Sequence, residues 1–173
     1  MDVATMVLHG HKGLVWSVCI SPDGKELASG GTDRVIRIWE LASGKLIKTL
    51  APAERTVMSL AFSSDSKQLA AGERQGYVQI WNVATGEVTI ELPPHGIGIF
   101  RLHFLPGDDR MVVGGEDGYL RVWNIAKKTQ SLTVSLHDFI VDVAVDPAGK
   151  RALVCTNAGL GQIINLETGE VEG

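Results

Sequence analysis

Short runs of alternating apolar and polar residues fill this chain, and they recur at a fixed interval. One such phrase begins with Leu27-Ala28-Ser29-Gly30, passes through a polar turn at Thr32-Asp33-Arg34, and resumes as Val35-Ile36-Arg37-Ile38-Trp39 before a second turn ending at Gly44. It returns 42 residues later as Leu69-Ala70-Ala71-Gly72 leading to Ile80-Trp81, and 42 after that as Val112-Val113-Gly114-Gly115 leading to Val122-Trp123. An eroded copy follows after 41 more, Leu153-Val154-Cys155-Thr156, with Ile164 in the tryptophan place. The alternation has the period of strands, and helical spacing is essentially absent. A unit of this size cannot bury its faces alone and must stack on copies of itself.

Each unit also holds an alternating run that leads into a turn, as Val15-Trp16-Ser17-Val18-Cys19-Ile20 leads into Ser21-Pro22-Asp23-Gly24. Proline and glycine there occupy favoured turn places. The counterparts are Val57 to Phe62, Ile99 to Phe104 and Ile140 to Val145, so each unit predicts four short strands in meander order. Residues 3 to 8 align with Leu46 to Leu50, so the chain opens on the last strand of a unit. The expectation is an all-β protein: one domain over residues 1–173, with units near 3–44, 45–86, 87–128 and 129–169.

Gly10-His11, Ser21-Pro22-Asp23-Gly24, Leu27-Ala28-Ser29-Gly30, Asp33 and Ile38-Trp39 together resemble a WD40 repeat, and the resemblance extends over the chain as four copies. It implies a β-propeller with four blades of four antiparallel strands, each blade tied by a hydrogen-bonded set of His, Ser or Thr, Asp and Trp. The first copy has the full set: His11, Ser29, Asp33 and Trp39. The third keeps His95, Asp117 and Trp123 around Val113; the second keeps Trp81, with Ala53, Ala71 and Gln75 in the other places. The fourth has Leu136, Val154, Ala158 and Ile164 instead.

Composition narrows the function. A net charge of −4 and pI near 5.7 give no basic footprint for nucleic acid. No stretch has the length of a membrane span, and the N-terminus lacks a secretion-signal pattern. Cys19 and Cys155 show no pairing pattern, so a reducing compartment, the cytoplasm, is expected. No catalytic, cofactor or metal site is expected. His11 and His95 fall in the blade-tying place, His103 stands where other copies have Cys19, Ala61 and Ala144, and His9 and His137 are turn residues. Asp142, where the other copies have Ser17, Ser59 and Arg101, is expected to pair with Arg101 across neighbouring blades.

By the resemblance, partner contacts fall just before and within the first strand of each unit and beside the Asp turn: Leu14, Trp16 and Thr32; Thr56, Met58 and Arg74; Gly98, Phe100 and Glu116; Phe139, Val141 and Asn157. A bulky apolar residue recurs in each group, and interface cores favour aromatics, Met and Arg. Two readings follow: a non-catalytic platform for a protein partner, and an enzyme working at the channel mouth through Arg101, His103 and Asp142. The mostly apolar contact positions favour the platform. A fragment of a longer WD40 scaffold is a further alternative.

Closure of the ring sets one more expectation. Sheets packed about 10 Å apart give four blades a mid-blade radius of only about 6 Å, whereas a blade is roughly 14 Å across. Eight blades give about 13 Å and leave a channel. Four copies therefore predict half a ring, completed as a homodimer in which residues 4 to 8 of each chain finish the other chain's last blade.

Overall fold

Serine and aspartate shape the turns that let these strands fold back on one another. In the computed structural model, which describes residues 6–50, 52–94, 96 and 98–172, the Ser21 hydroxyl donates to the Asp23 carboxylate (2.6 Å), and the Gly24 amide closes on the Ser21 carbonyl (2.8 Å). Gly24 has φ +70°, a conformation open to glycine at no steric cost. The second unit repeats the device with Ser63 donating to Asp65 at 2.7 Å.

The described residues form fifteen strands and no helix. The first sheet holds β1 (Val15–Ile20), β2 (Glu26–Gly31), β3 (Arg37–Glu40) and β4 (Leu46–Thr49) in chain order. The second holds β5 (Val57–Phe62), β6 (Gln68–Glu73), β7 (Val78–Asn82) and β8 (Val88–Leu92). The third holds β9 (Ile99–Phe104), β10 (Arg110–Gly115), β11 (Tyr119–Asn124) and β12 (Thr129–Ser135). All pairs are antiparallel, the order of a propeller blade. The fourth sheet departs from the four-strand plan: it has β13 (Ile140–Val145), β14 (Arg151–Thr156) and β15 (Gly161–Asn165), with only a single bridge, Ile164 to Val171, where an outer strand would lie.

Blades pack in chain order, β1 on β5, β5 on β9 and β9 on β13. Three apolar clusters fill the three spaces between them, built around Leu60 and Trp81, Leu102 and Trp123, and Val143 and Ile164. The end blades leave one face bare. Leu60, Leu102 and Val143, 6, 1 and 2% exposed, are each covered by the preceding blade, while their register equivalent Val18 is 62% exposed. At the other end Leu153 is 48% exposed, whereas its equivalents Ala28, Ala70 and Val112 are fully buried.

The N-terminal segment expected as an outer strand is unpaired over residues 6–8; residues 4 and 5 lie outside the described residues. Its place is nonetheless that of a preceding blade's edge. Met6 and Leu8 lie against the turn glycine Gly44, as Leu50 of the first blade's outer edge lies against Gly86 and Leu132 and Val134 of β12 lie against Gly169.

A candidate partner interface and the network that ties the blades

Each inner strand begins with two consecutive bulky apolar residues, which strict alternation cannot accommodate. The backbone answers with a β-bulge at the same place in all four blades. Val15 pairs with Gly31 and Ser17 with Gly30, leaving Trp16 as the extra residue. Met58, Phe100 and Val141 are extra in the same way in β5, β9 and β13. A bulge re-aims the side chain it carries. Trp16 is 53% exposed, Val141 is exposed, and Met58 and Phe100 are half-buried.

A backbone bond ties the other contact positions to this bulge. The Thr32 amide donates to the Leu14 carbonyl (2.9 Å), Arg74 to Thr56 (2.9 Å), Glu116 to Gly98 (3.0 Å) and Asn157 to Phe139 (2.9 Å). Leu14, Arg74 and Phe139 are exposed and Glu116 is half-buried. Phe139 thus stands one step before the strand, level with Leu14, and Val141 is the equivalent of Trp16 in the fourth blade. Because the inner strands are neighbours in chain order, the four bulges form a row of apolar side chains. Trp16 also borders an open groove of about 500 Å³ across β1, β5 and β9, whose wall includes Arg101 and His103.

Among the described residues, the groove wall brings together no convergent set of reactive groups. Arg101 Nε donates to Asp142 at 2.7 Å across blades, and both side chains are substantially exposed, so the pair is solvated. Burial lowers the pKa of His103, whose Nε2–H donates to the Val143 carbonyl at 2.8 Å, so a neutral imidazole joins the third and fourth blades. Burial pushes the Cys19 thiol up to about 12, which keeps it protonated.

The first blade carries one continuous chain of donors. Trp39 Nε1 donates to Ser29 Oγ (2.8 Å), the Ser29 hydroxyl donates to His11 Nε2 (2.8 Å), and His11 Nδ1 donates to Asp33 (3.0 Å). Burial would raise the Asp33 carboxyl. The Lys12 and Val35 amides, His11 and Arg37 outweigh it, and the value falls to about 2. Arg37 was not among the residues read from sequence. In the third blade its equivalent Arg121 bonds Asp117 at 2.7 Å, and Val113 is buried in the hydroxyl place; His95 lies outside the described residues. In the second blade Trp81 is fully buried with its Nε1 unpartnered, facing Ala71 where Ser29 stands in the first. The fourth replaces the set with apolar packing of Leu136, Val154 and Ile164.

Four-stranded meanders packed face on face in chain order define a β-propeller. The family described as "WD domain, G-beta repeat" matches residues 3–40, 44–82 and 86–124, and the chain belongs to this WD40 repeat family. It is similar to eukaryotic translation initiation factor 3 subunit I of Phaeosphaeria nodorum, 49% identical over 41 residues, a match covering 24% of this chain and 12% of that protein. The ribosome biogenesis protein BOP1 homolog of Drosophila erecta is 44% identical over 52 residues, 30% of this chain and 7% of that protein. Among solved structures, the RRP9 WD40 repeats superpose with a TM-score of 0.83 at 21% identity, covering 96% of this chain and 52% of that one. U3-55K superposes with a TM-score of 0.84, also at 21% identity, covering 96% and 53%. The chain thus spans about half of each solved chain and a small part of the curated relatives.

Proposed function

We propose that this WD40 array is a non-catalytic interaction scaffold whose protein partner docks on the row formed by Trp16, Met58, Phe100 and Val141, with Leu14, Arg74, Glu116 and Phe139 at its margin. The observation that carries this reading is the bulge repeated in every inner strand, which presents a bulky apolar residue at a place where alternation alone would bury or misdirect it. Changing Trp16 and Phe100 together to Ala abolishes recovery of the proteins captured by the wild type and leaves the melting temperature within a few degrees. Retained capture with a large loss of stability refutes it and makes the row part of the core. An enzyme at the channel mouth has less support, because Arg101, Asp142 and His103 are already engaged with one another's blades.

We further propose that the scaffold is completed as a homodimer forming an eight-bladed ring. The bare face around Val18 and Ile20 and the bare face around Leu153 and Ile163 are the two halves of an interface that occurs three times within the chain. Head-to-tail pairing joins them twice, and the segment ending Met6-Val7-Leu8 supplies the outer strand that the partner's fourth blade lacks. Both bare faces are apolar, and an unpaired edge of this kind is a template for another chain. Mass measurement in solution tests it: a species near twice 18.6 kDa that dissociates when residues 1–8 are removed supports pairing. A stable species of 18.6 kDa refutes it and favours further blades on a longer chain, in keeping with solved chains about twice this length.

A further inference from the structure

The flank of the second blade carries a cleft of about 360 Å³ lined by Glu54, Glu73, Tyr77, Gln79, Glu91 and Lys128. Two acceptors in it have no donor. Glu73 is 0% exposed; its Oε2 accepts from the Arg55 amide at 2.9 Å, and its Oε1 has no partner. Gln79 is 8% exposed and donates its amide N–H to Glu91 at 2.7 Å, while its own Oε1 has no partner. A buried acceptor left without a donor is costly, and with Glu54 paired to Arg55, the carboxylates of Glu73 and Glu91 remain at the cleft for a cation.

The sister blades show which cation belongs at this register. Gln79 occupies the position of Arg37 and Arg121, whose guanidinium groups pair with Asp33 and Asp117. Arg121 also lies over the Tyr119 ring, at 5.0 Å. The second blade has Gln in place of that arginine and Gln75 in place of the aspartate. It places a carboxylate at Glu73, where the other blades have Gly31, Gly115 and Thr156. Its own nearby guanidinium is engaged elsewhere: Arg55 stacks on Tyr77 at 3.9 Å, donates Nε to Gln75 at 2.6 Å and pairs with Glu54 at 2.7 Å.

We infer that this flank of the second blade is a receptor for the guanidinium group of an arginine side chain in a protein partner, with Glu91 receiving the charge and Glu73 and Gln79 the remaining N–H donors. A planar fork of five donors suits several converging acceptors better than a compact ammonium does. The site is separate from the bulge row and from both bare end faces, and does not depend on either proposal above. Its state varies near neutrality. Burial raises the Glu73 carboxyl to about 7; Arg55 lowers it, and Glu54 and Glu91 raise it. Tyr77 and Lys128 are the other charged or titratable groups along the cleft.

The test is titration of the whole protein with N-acetyl-arginine amide, followed by NMR on the Gln79 side-chain amide and the Tyr77 ring. The expected result is saturable shifts, with affinity about tenfold or more weaker in Glu91→Gln, which alters an exposed rim residue, and stronger in Lys128→Gln, which removes a competing cation. Affinity rises with pH through about 7 in the wild type as Glu73 ionises, and this rise is absent in Glu73→Gln. Absence of saturable shifts overturns the inference. So do equal affinity for N-acetyl-lysine amide and unchanged affinity in both glutamate variants.

Discussion

Asp33→Ala probes the polar tie where it is complete. The carboxylate accepts from His11, from the Lys12 and Val35 amides and from Arg37, and its side chain and that of Arg37 are 9 and 12% exposed. Removing it leaves a nearly buried guanidinium without its counter-charge and frees the imidazole from the tautomer that accepts from Ser29. Breaking a buried pair on one side costs about 3–5 kcal/mol, and water reaching the exposed Lys12 amide offsets part of it. The expected loss is therefore about 3 kcal/mol, or a fall in Tm of roughly 6–12 °C for a domain of this size. Gln75→Ala removes a single bond from Arg55 at an exposed position, expected at under about 1 kcal/mol. Urea unfolding at pH 7 measures both. Because the folded-state value of Asp33 lies below its ordinary 3.8, its contribution is present above about pH 4 and is lost as pH falls toward 2. The penalty of Asp33→Ala accordingly shrinks over that range. Equal penalties for the two variants, or a penalty indifferent to acid, refute the reasoning.

Leu60→Ala, at a position covered by the first blade, is expected to cost about 2–5 kcal/mol, whereas Val18→Ala at the bare equivalent costs under about 0.5 kcal/mol in the monomer; urea unfolding of dilute protein separates them. Under the pairing proposal the cost of Val18→Ala grows with protein concentration, and a concentration-independent value counts against pairing. Glu73→Gln is expected to stabilise the protein at pH 8 by about 1–2 kcal/mol, a figure reduced for solvent at the cleft mouth, and by almost nothing below pH 4.5. The sign follows from a folded-state value raised above the unfolded one: the folded form holds its proton longer, so wild-type stability falls as pH rises from about 4.5 to 7. Denaturation midpoints of both proteins from pH 4 to 8 check this.

The architecture was legible because a repeat is a property of spacing, and the alternation of Ile36, Ile38 and their equivalents survives even where the tryptophan becomes Ile164. The register equivalence of Trp16, Met58, Phe100 and Val141 was legible for the same reason. The bulges were not read, although Val15-Trp16, Val57-Met58, Ile99-Phe100 and Ile140-Val141 carried the signal: two adjacent bulky apolar residues cannot both obey a period of two. Arg37 and Arg121 were passed over because a charged residue within a strand reads as solvent-facing, and only the folded turn brings Asp33 or Asp117 back against it. The cleft beside Glu73 was beyond a residue-by-residue reading, since it is defined by what Gln79 lacks relative to two other blades.

The fate of the tie differs among the four blades, and the second is the one that also carries the cleft. Exchanging a whole buried polar network for well-packed apolar groups is often neutral, and the fourth blade has done so with Leu136, Val154 and Ile164 in one cluster. The second has exchanged only part. Ala53 and Ala71 remove both the histidine and the hydroxyl while Trp81 remains, so its indole N–H stays buried without an acceptor, at a cost of about 1–3 kcal/mol. This blade is covered on both faces by its neighbours, with Leu69, Ile80 and Trp81 all buried, and that packing supplies the stability the tie no longer gives. The first blade keeps its network whole, and the third, covered on both faces like the second, keeps its Arg121–Asp117 pair. Packing on both faces is thus what lets the second blade tolerate a buried carboxylate oxygen without a donor, and Glu73 stands there.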